Sequence, residues 1–113
     1  MDDLPNSLDA ALRRRAAQVI PGGLWGHLDA ARLPAGYPQF FRSAEGCRLT
    51  DVDGHTVIDF MCSWGPIVLG HRHPAVEAAV ARQAALGDAM NGPGAVLVEL
   101  AAALVGLIPA ADW

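Results

Sequence analysis

The apolar residues near the start of the chain recur with the spacing of an α-helix. They stand three or four positions apart between Ser7 and Ile20, which predicts an amphipathic helix over that range. The positions on this face are Leu8, Leu12, Ala16, Val19 and Ile20. Asn6 or Ser7 can cap the helix, and Pro21-Gly22-Gly23 is expected to end it. The glycine- and proline-rich stretch 21–38 then predicts a long irregular loop.

Short runs of strand-forming residues follow and predict an antiparallel meander. The runs are Gln39–Ser43, Cys47–Asp51 and Thr56–Phe60. Turn residues separate them, with Ala44-Glu45-Gly46 after the first run and the hairpin signal Asp53-Gly54 after the second. A sheet of this size is marginal alone, so we expect it to need a partner surface.

The rest of the chain predicts an irregular segment and then two helices. The segment from Met61 to Gly70 holds a tryptophan, a proline and glycines, and is expected to be extended. Pro74 is a favoured first helical residue, and Gly87 is expected to end that helix. The last helix, Ala95–Ile108, is apolar on almost every face, which predicts burial on nearly all sides.

Composition and charge change this picture in three ways. Charged residues make up 18% of the 113 positions and hydrophobic residues 52%, so the chain is expected to be part of a larger protein. All 8 basic residues are arginines, and the absence of lysine excludes chemistry in which this chain forms a Schiff base. The net charge of -4 gives no long-range attraction to nucleic acid, and Arg13-Arg14-Arg15 is interpreted as a solvated helix face.

The sequence predicts neither secretion nor insertion into a membrane. Glu99 interrupts the apolar run 95–111 and Pro109 ends its helical part, which favours a buried helix over a membrane span. Cys47 and Cys62 are interpreted as free thiols in a reducing compartment, so the expected location is cytoplasmic.

Several local patterns could carry chemistry, and each has a simpler interpretation. His71 and His73 form a His-x-His pair with no third ligand at suitable spacing, so we predict no metal site and interpret them as a cap and a packing group. His73 is the one that could cap the helix from Pro74. Asp51-Val52-Asp53-Gly54 resembles the start of a calcium loop, but Cys62 stands where that loop needs a glutamate, so we predict no calcium site. The carboxylates Asp51, Asp53 and Asp59 are interpreted as solvated turn residues and not as an acid/base pair, because the sequence shows no cleft that would hold such a pair.

The tryptophans allow two interpretations. Trp64 and Trp25 each lie beside glycines in an irregular segment. Each can be a core residue or a wall of a ligand pocket, where a large rigid ring shapes the site.

Three strings, read in order, resemble one family. They are Val19–Gly23, then Tyr37–Phe41 leading to Ala44–Gly54, and then Ile58–Phe60 followed by Ser63–Pro74, which contains Gly70-His71-Arg72-His73-Pro74. Together they resemble the N-terminal portion of class-III, fold-type I, pyridoxal-phosphate-dependent aminotransferases, in the branch of glutamate-1-semialdehyde 2,1-aminomutase. The similarity covers nearly the whole chain, but family members are several times longer. The chain is therefore expected to be an N-terminal fragment.

The resemblance implies a homodimeric enzyme that uses pyridoxal 5'-phosphate (PLP) bound to a lysine and takes a small-molecule amine or amino acid and a keto acid as substrates. In the family, that lysine and the other cofactor contacts lie beyond the part present here. We therefore expect no catalytic residue in this chain and no activity for the chain alone. The resemblance does not identify which residues here, if any, bind the cofactor. The resemblance places Trp64 on the substrate side of the active site, with Ser63 as a weaker candidate.

One departure from the aminomutase bears on the substrate. The serine and arginine that meet the substrate carboxylate there are matched by Gly26 and Asp29, and an acidic residue would repel a carboxylate. A transaminase for another amine or amino acid is therefore favoured over an aminomutase, with Trp25 and His27 as further pocket candidates. The alternatives are an aminomutase, a non-catalytic dimerisation module, and a small metal protein using His71 and His73.

The predicted fold is an α/β fragment. It consists of an N-terminal helix, a small antiparallel three-stranded meander and two helices that begin the large PLP-dependent transferase domain. Residues 1–60 are expected to form the N-terminal segment and residues 61–113 the start of the large cofactor domain. The apolar last helix leads us to expect that the isolated chain aggregates.

Overall fold

The computed structural model describes residues 7–26, 28–34, 36–87 and 90–111. They form two compact units that divide between Pro74 and Ala75. The elements, in chain order, are α1 (Leu8–Val19), β1 (Phe41–Glu45), β2 (Arg48–Asp51), β3 (Thr56–Ile58), α2 (Pro74–Ala84) and α3 (Ala95–Leu107). This order confirms the predicted helix, three-stranded meander and pair of helices.

Helix α1 begins and ends on local signals. The Ser7 hydroxyl accepts a hydrogen bond from the backbone N–H of Ala10 at 3.1 Å, while Asn6 lies outside the described residues. At the other end, the Pro21–Gly23 segment forms a 3₁₀ turn in which Gly22 has φ 71° and Gly23 has φ 68°. Because these left-handed conformations favour glycine, the predicted stop is confirmed.

The buried side of α1 carries a carboxylate. Asp9 and Ala16 are buried, whereas Leu8 is 52% exposed and Val19 is 70% exposed. The Asp9 carboxylate accepts hydrogen bonds from the backbone N–H groups of Gln39 at 3.0 Å and Phe40 at 2.8 Å. On the predicted apolar face Ala16 is buried and Leu12 is half-buried, so this face packs only in part, and the buried side of α1 also includes Asp9, whose carboxylate satisfies these backbone donors.

Arg13 belongs to the same cluster. Its Nε donates to Asp9, and its guanidinium also donates to the backbone carbonyl of Tyr37. The interpretation of the arginine run as a wholly solvated face is therefore wrong for Arg13. The i, i+4 spacing puts Arg13 above Asp9 on the helix, where it completes the link to the segment before β1.

The strands form an antiparallel sheet in the order β1-β2-β3. The register pairs Glu45 with Arg48 and Leu49 with Val57, and it shifts between Phe41 and Ser43. Strand β1 therefore includes Ala44 and Glu45, which were expected in a turn. The turn is the two-residue connection after Glu45, where Gly46 has φ 54°, as short hairpin turns require.

The turn between β2 and β3 also reaches α1. Gly54 has φ 96°, in agreement with the predicted hairpin turn. The Asp53 carboxylate accepts hydrogen bonds from the backbone N–H groups of Leu8 at 2.7 Å and Asp9 at 3.2 Å. Asp53 thus satisfies donors that the first turn of a helix leaves free, rather than being only a solvated turn residue.

The second unit contains α3 and all of α2 after Pro74. Helix α2 starts at Pro74, as predicted, and ends at Ala84, before the turn that leads to Gly87. Neither α2 nor α3 has a buried residue, so the burial expected for α3 is not supplied by the described part of the chain. No helix in the described ranges is long and apolar enough to cross a membrane.

Candidate active site

Trp64 lies on a left-handed turn formed by Cys62, Ser63 and Trp64. Their φ values are 49°, 51° and 61°, and Gly65 follows with φ 107°. The turn is closed by hydrogen bonds from the N–H groups of Gly65 and Ile67 to the Cys62 carbonyl, at 2.9 and 3.2 Å. Left-handed backbone costs an L-residue about 1–2 kcal/mol, so this turn is strained. The expected extended backbone is wrong here.

The Asp59 carboxylate holds the start of this turn. Its Oδ1 atom accepts hydrogen bonds from the backbone N–H groups of Met61 at 2.8 Å and Cys62 at 2.9 Å. Its Oδ2 atom lies 2.8 Å from Nε2 of His71, and because a carboxylate only accepts, this contact places a proton on Nε2. The hydrogen bonds from His71 and then from Cys62 hold the pKa of Asp59 below its ordinary value.

His71 is fixed in turn by its backbone. The N–H and carbonyl of His71 pair with the carbonyl and N–H of Gly46 at 2.8 and 3.0 Å. Gly70 has φ 83°, and a Cβ at this position would lie 3.1 Å from the Gly46 carbonyl oxygen. The close approach therefore requires glycine at position 70.

The contacts of His71 and His73 differ from those that the sequence predicts. His71 pairs with a carboxylate, so the interpretation of Asp59 as a solvated residue is wrong. The Nδ1 atom of His73 is buried and makes no hydrogen bond within the described structure, so this atom does not cap α2. Nowhere in the described ranges do three or more His, Cys, Asp or Glu side chains form a group that could hold a metal ion.

The interpretation of Asp51 as a solvated residue is also wrong, because Asp51 is only 2% exposed. Burial raises the pKa of Asp51, but hydrogen bonds from the ring and backbone N–H of His55 outweigh it and leave this pKa below its ordinary value. The distances to the Asp51 oxygens are 2.9 Å from His55 Nδ1 and 2.7 Å from the His55 backbone nitrogen. This pair stabilises the turn between β2 and β3.

The structure brings Trp25 and Trp64 together. Their ring centroids lie 5.8 Å apart with an interplanar angle of 71°, an edge-to-face contact between residues far apart in the sequence. Trp25 is 68% exposed and Trp64 is 57% exposed, so neither ring is buried in a core of the described chain. Ser63 is also exposed and stands next to Trp64 on the left-handed turn.

The remaining candidates lie around the loop that carries Trp25. His27 is outside the described residues. Asp29 accepts a hydrogen bond from the backbone N–H of Ala31 at 2.9 Å and so caps the 3₁₀ turn Ala30–Arg32. Gly26 has φ 68°, a left-handed conformation that glycine adopts readily.

An open groove of about 640 Å³ lies against the sheet in the same unit. Its lining is mostly apolar and includes Tyr37, Leu49, Val57, Asp59, Phe60 and Met61. Asp59 and Met61 thus belong to both the groove and the support of the left-handed turn.

Sequence reasoning missed Asp59 and His71 as the residues that support Trp64. One signal was present, because an aspartate often accepts hydrogen bonds from backbone N–H groups two or three residues later in a turn. Neither the left-handed backbone nor the pairing with His71 follows from the spacing of the residues.

The side chains of this chain decide whether it can bind PLP covalently. The chain contains no lysine, so none of its side chains can form an imine with PLP. Trp64, Ser63 and Trp25 can contact a small molecule through exposed rings and a hydroxyl, but they do not form a covalent cofactor site.

The sequence and the fold have clear relatives. Residues 33–108 match the family model for class-III aminotransferases. An aminopentol aminotransferase of Sphingopyxis macrogoltabida is 50% identical over 102 residues, which are 90% of this chain and 24% of that protein. A glutamate-1-semialdehyde 2,1-aminomutase of Deinococcus radiodurans is 45% identical over 103 residues, which are 91% of this chain and 23% of that protein. The chain thus spans about a quarter of the length of the curated relatives it matches.

Solved structures agree with this relationship. The PLP internal aldimine form of the FumI protein of Sphingopyxis sp. MTA144 has a TM-score of 0.84 and 48% identity over 93% of this chain and 25% of that one. An omega-transaminase of Sphaerobacter thermophilus has a TM-score of 0.82 and 31% identity over 96% of this chain and 24% of that one. The described elements therefore have the fold of part of a PLP-dependent transferase. By its sequence and its fold, this chain belongs to the class-III aminotransferase family.

Proposed function

We propose that the protein containing this segment is a PLP-dependent transaminase that moves an amino group between an amine or amino acid and a keto acid or aldehyde. The observation that carries the proposal is the match of residues 33–108 to the class-III aminotransferase family, and the strained left-handed turn that sets Trp64 against Trp25 with both rings exposed indicates which side chains serve the site. Backbone strain of this kind persists only where the surrounding structure maintains it, and it clusters at functional sites.

The residues of this chain contribute to substrate binding in this proposal. The exposed faces of Trp25 and Trp64 can pack on an apolar part of the substrate or attract an ammonium group, and they exclude water from that side. Ser63 offers a hydroxyl beside Trp64, and His27 remains a predicted pocket residue.

We infer that the preferred amino donor carries no carboxylate next to this loop. Asp29 places a negative charge there, and its carboxylate is held in place by the N–H of Ala31. The similarity to an aminopentol aminotransferase supports an amine as donor. A glutamate-1-semialdehyde aminomutase is the second candidate, because a relative with that name is 45% identical. Assaying the full-length protein with a carboxylate-free amine and with glutamate-1-semialdehyde separates the two.

We also propose that the isolated chain is inactive, that residues 61–113 begin the large cofactor domain and that the full-length enzyme is a cytoplasmic homodimer. Because α2 and α3 have no buried residue, they fit elements that pack against further protein. A folded, discrete oligomer of the isolated chain, seen by circular dichroism and sedimentation, would instead favour a non-catalytic dimerisation module.

Borohydride reduction in the presence of PLP tests the missing imine. The 113-residue chain should acquire no stoichiometric pyridoxyl label on an internal residue, because it has no lysine. The full-length transaminase, treated in parallel, should be labelled at one internal lysine. A stoichiometric internal label on the short chain would contradict its predicted inactivity.

Substitution of Trp64 in the full-length transaminase tests the site. Trp64→Ala should lower kcat/KM roughly tenfold, since one aromatic contact contributes about 0.5–1.5 kcal/mol. Trp64→Phe keeps a ring and should lose much less. Equal activity of the alanine variant and the wild type would remove Trp64 from the site.

A further inference from the structure

We propose that Asp59 is a positioning residue for the reaction, because its carboxylate and His71 together lock the left-handed turn that holds Trp64 against Trp25. This inference rests on the proposed function for its catalytic consequence. Its structural consequence, that Asp59 and His71 keep Trp25 and Trp64 in a fixed contact, depends only on contacts within this chain.

The left-handed turn cannot maintain itself. Cys62, Ser63 and Trp64 are all L-residues with side chains, and each prefers the right-handed or extended backbone. The turn's own hydrogen bonds both end on the Cys62 carbonyl, from Gly65 and Ile67. An external acceptor for the N–H groups at its entrance is therefore needed to select this conformation.

Asp59 supplies that acceptor in a directed way. One carboxylate oxygen accepts both entrance N–H groups, those of Met61 and Cys62, at 2.8 and 2.9 Å. The other oxygen is left for His71 Nε2 at 2.8 Å, and the Asp59 side chain is only 7% exposed. The imidazole thus prevents the carboxylate from rotating away from the turn.

The backbone of His71 connects this support to the sheet. The backbone of His71 pairs in both directions with Gly46, which lies in the turn between β1 and β2. The absence of a side chain at Gly70 permits this approach. The turn that carries Trp64 is therefore tied through two side chains to the most regular part of the unit, and functional groups supported in this way are held accurately.

Asp53 offers a matched control. Like Asp59, it accepts hydrogen bonds from two consecutive backbone N–H groups, those of Leu8 and Asp9, but these bonds cap α1 and do not involve the left-handed turn. Loss of either carboxylate removes the same kind of contact. Only loss of Asp59 should disturb the tryptophan pair.

The test compares Asp59→Ala, Asp59→Asn and Asp53→Ala in the full-length, PLP-loaded enzyme. The contribution of the pair to near-ultraviolet circular dichroism is defined as the difference between wild type and Trp25→Phe. Asp59→Ala should abolish this contribution and lower kcat/KM roughly tenfold or more. Asp59→Asn should retain part of both, because its Oδ1 can accept the same two N–H groups, whereas its Nδ2 is a donor and keeps a hydrogen bond to His71 only if Nε2 gives up its proton. Asp53→Ala should lower Tm but leave both readouts unchanged.

A second variant covers the case in which Asp59→Ala does not fold. His71→Ala keeps the two hydrogen bonds to Asp59 Oδ1 but frees the carboxylate to rotate, so the pair's dichroism should weaken in part. An unchanged signal in Asp59→Ala or His71→Ala would overturn the proposal, as would an equal loss in Asp53→Ala. A wild-type protein without transaminase activity would refute the proposed function alone, since the spectroscopic comparison still decides whether Asp59 orders the pair.

Discussion

The two units of the chain are stabilised in contrasting ways. In the first unit, Asp9, Asp53 and Asp59 each accept hydrogen bonds from a pair of consecutive backbone N–H groups. In the second unit, α3 presents apolar side chains that remain exposed, among them Leu97, Val98 and Leu107. The first unit therefore supplies its own polar contacts, whereas the apolar faces of the second unit fit a surface that the described chain does not provide.

Lowering the pH should change the difference in stability between the two units most, because it protonates several carboxylates of the first unit at once. Asp51 and Asp59 have pKa values below the ordinary one in the folded chain. Their contribution to stability is therefore complete above the unfolded pKa of about 3.9 and is lost as the pH falls through the folded pKa.

Urea unfolding of the 113-residue chain, at a concentration low enough to prevent aggregation and at pH values from 6 down to 2, should show this loss of stability by tryptophan fluorescence. Asp51→Asn combined with Asp59→Asn should flatten the dependence. A first unit that becomes more stable as the pH falls would contradict the assignment.

A smaller effect is expected from single carboxylates, one in each unit. Asp9→Ala leaves the N–H groups of Gln39 and Phe40 without their acceptor and should cost about 2–3 kcal/mol. Glu99→Ala changes an exposed residue of α3 and should stay within about 0.5 kcal/mol. Free energies of unfolding from urea titration measure both changes. Similar losses for the two variants would remove the proposed distinction between the units.

The smallest expected effects come from replacing one glycine in each unit with alanine. Gly70→Ala places a Cβ 3.1 Å from the Gly46 carbonyl oxygen at φ 83°, so it should destabilise the first unit by more than about 1 kcal/mol. Gly106 lies inside α3 with nothing within 4 Å of its Cβ position, so Gly106→Ala should stabilise that helix by about 0.5–1 kcal/mol. Thermal unfolding followed by far-ultraviolet circular dichroism should show opposite signs, and equal signs would contradict this view of the two sites.

Local signals made much of the fold predictable. The cap at Ser7, the glycines after α1, the hairpin turn at Gly54 and the proline at the start of α2 all act within a few residues of their position. The start of β1 and the turn at Gly46 were misplaced, because the register depends on cross-strand pairing rather than on the residues of one strand.

The candidate site was predictable only in part. Trp25 and Trp64 were identified separately, but their contact depends on how the loop after α1 meets the left-handed turn. The burial of Asp9 and the pairing of Asp59 with His71 join residues distant in sequence, so no local pattern indicates them. The non-glycine residues of the left-handed turn give no warning of their conformation, since their side chains oppose it.

The reciprocal bond between Gly46 and His71 has a consequence for the order of folding. It closes a loop of about 25 residues that contains β2, β3 and the turn bearing Trp64. The chain must lose the entropy of closing this loop before Asp59 can meet an anchored imidazole. The loop should therefore form and open as one cooperative unit, with the two tryptophans meeting only after the ring of backbone has closed.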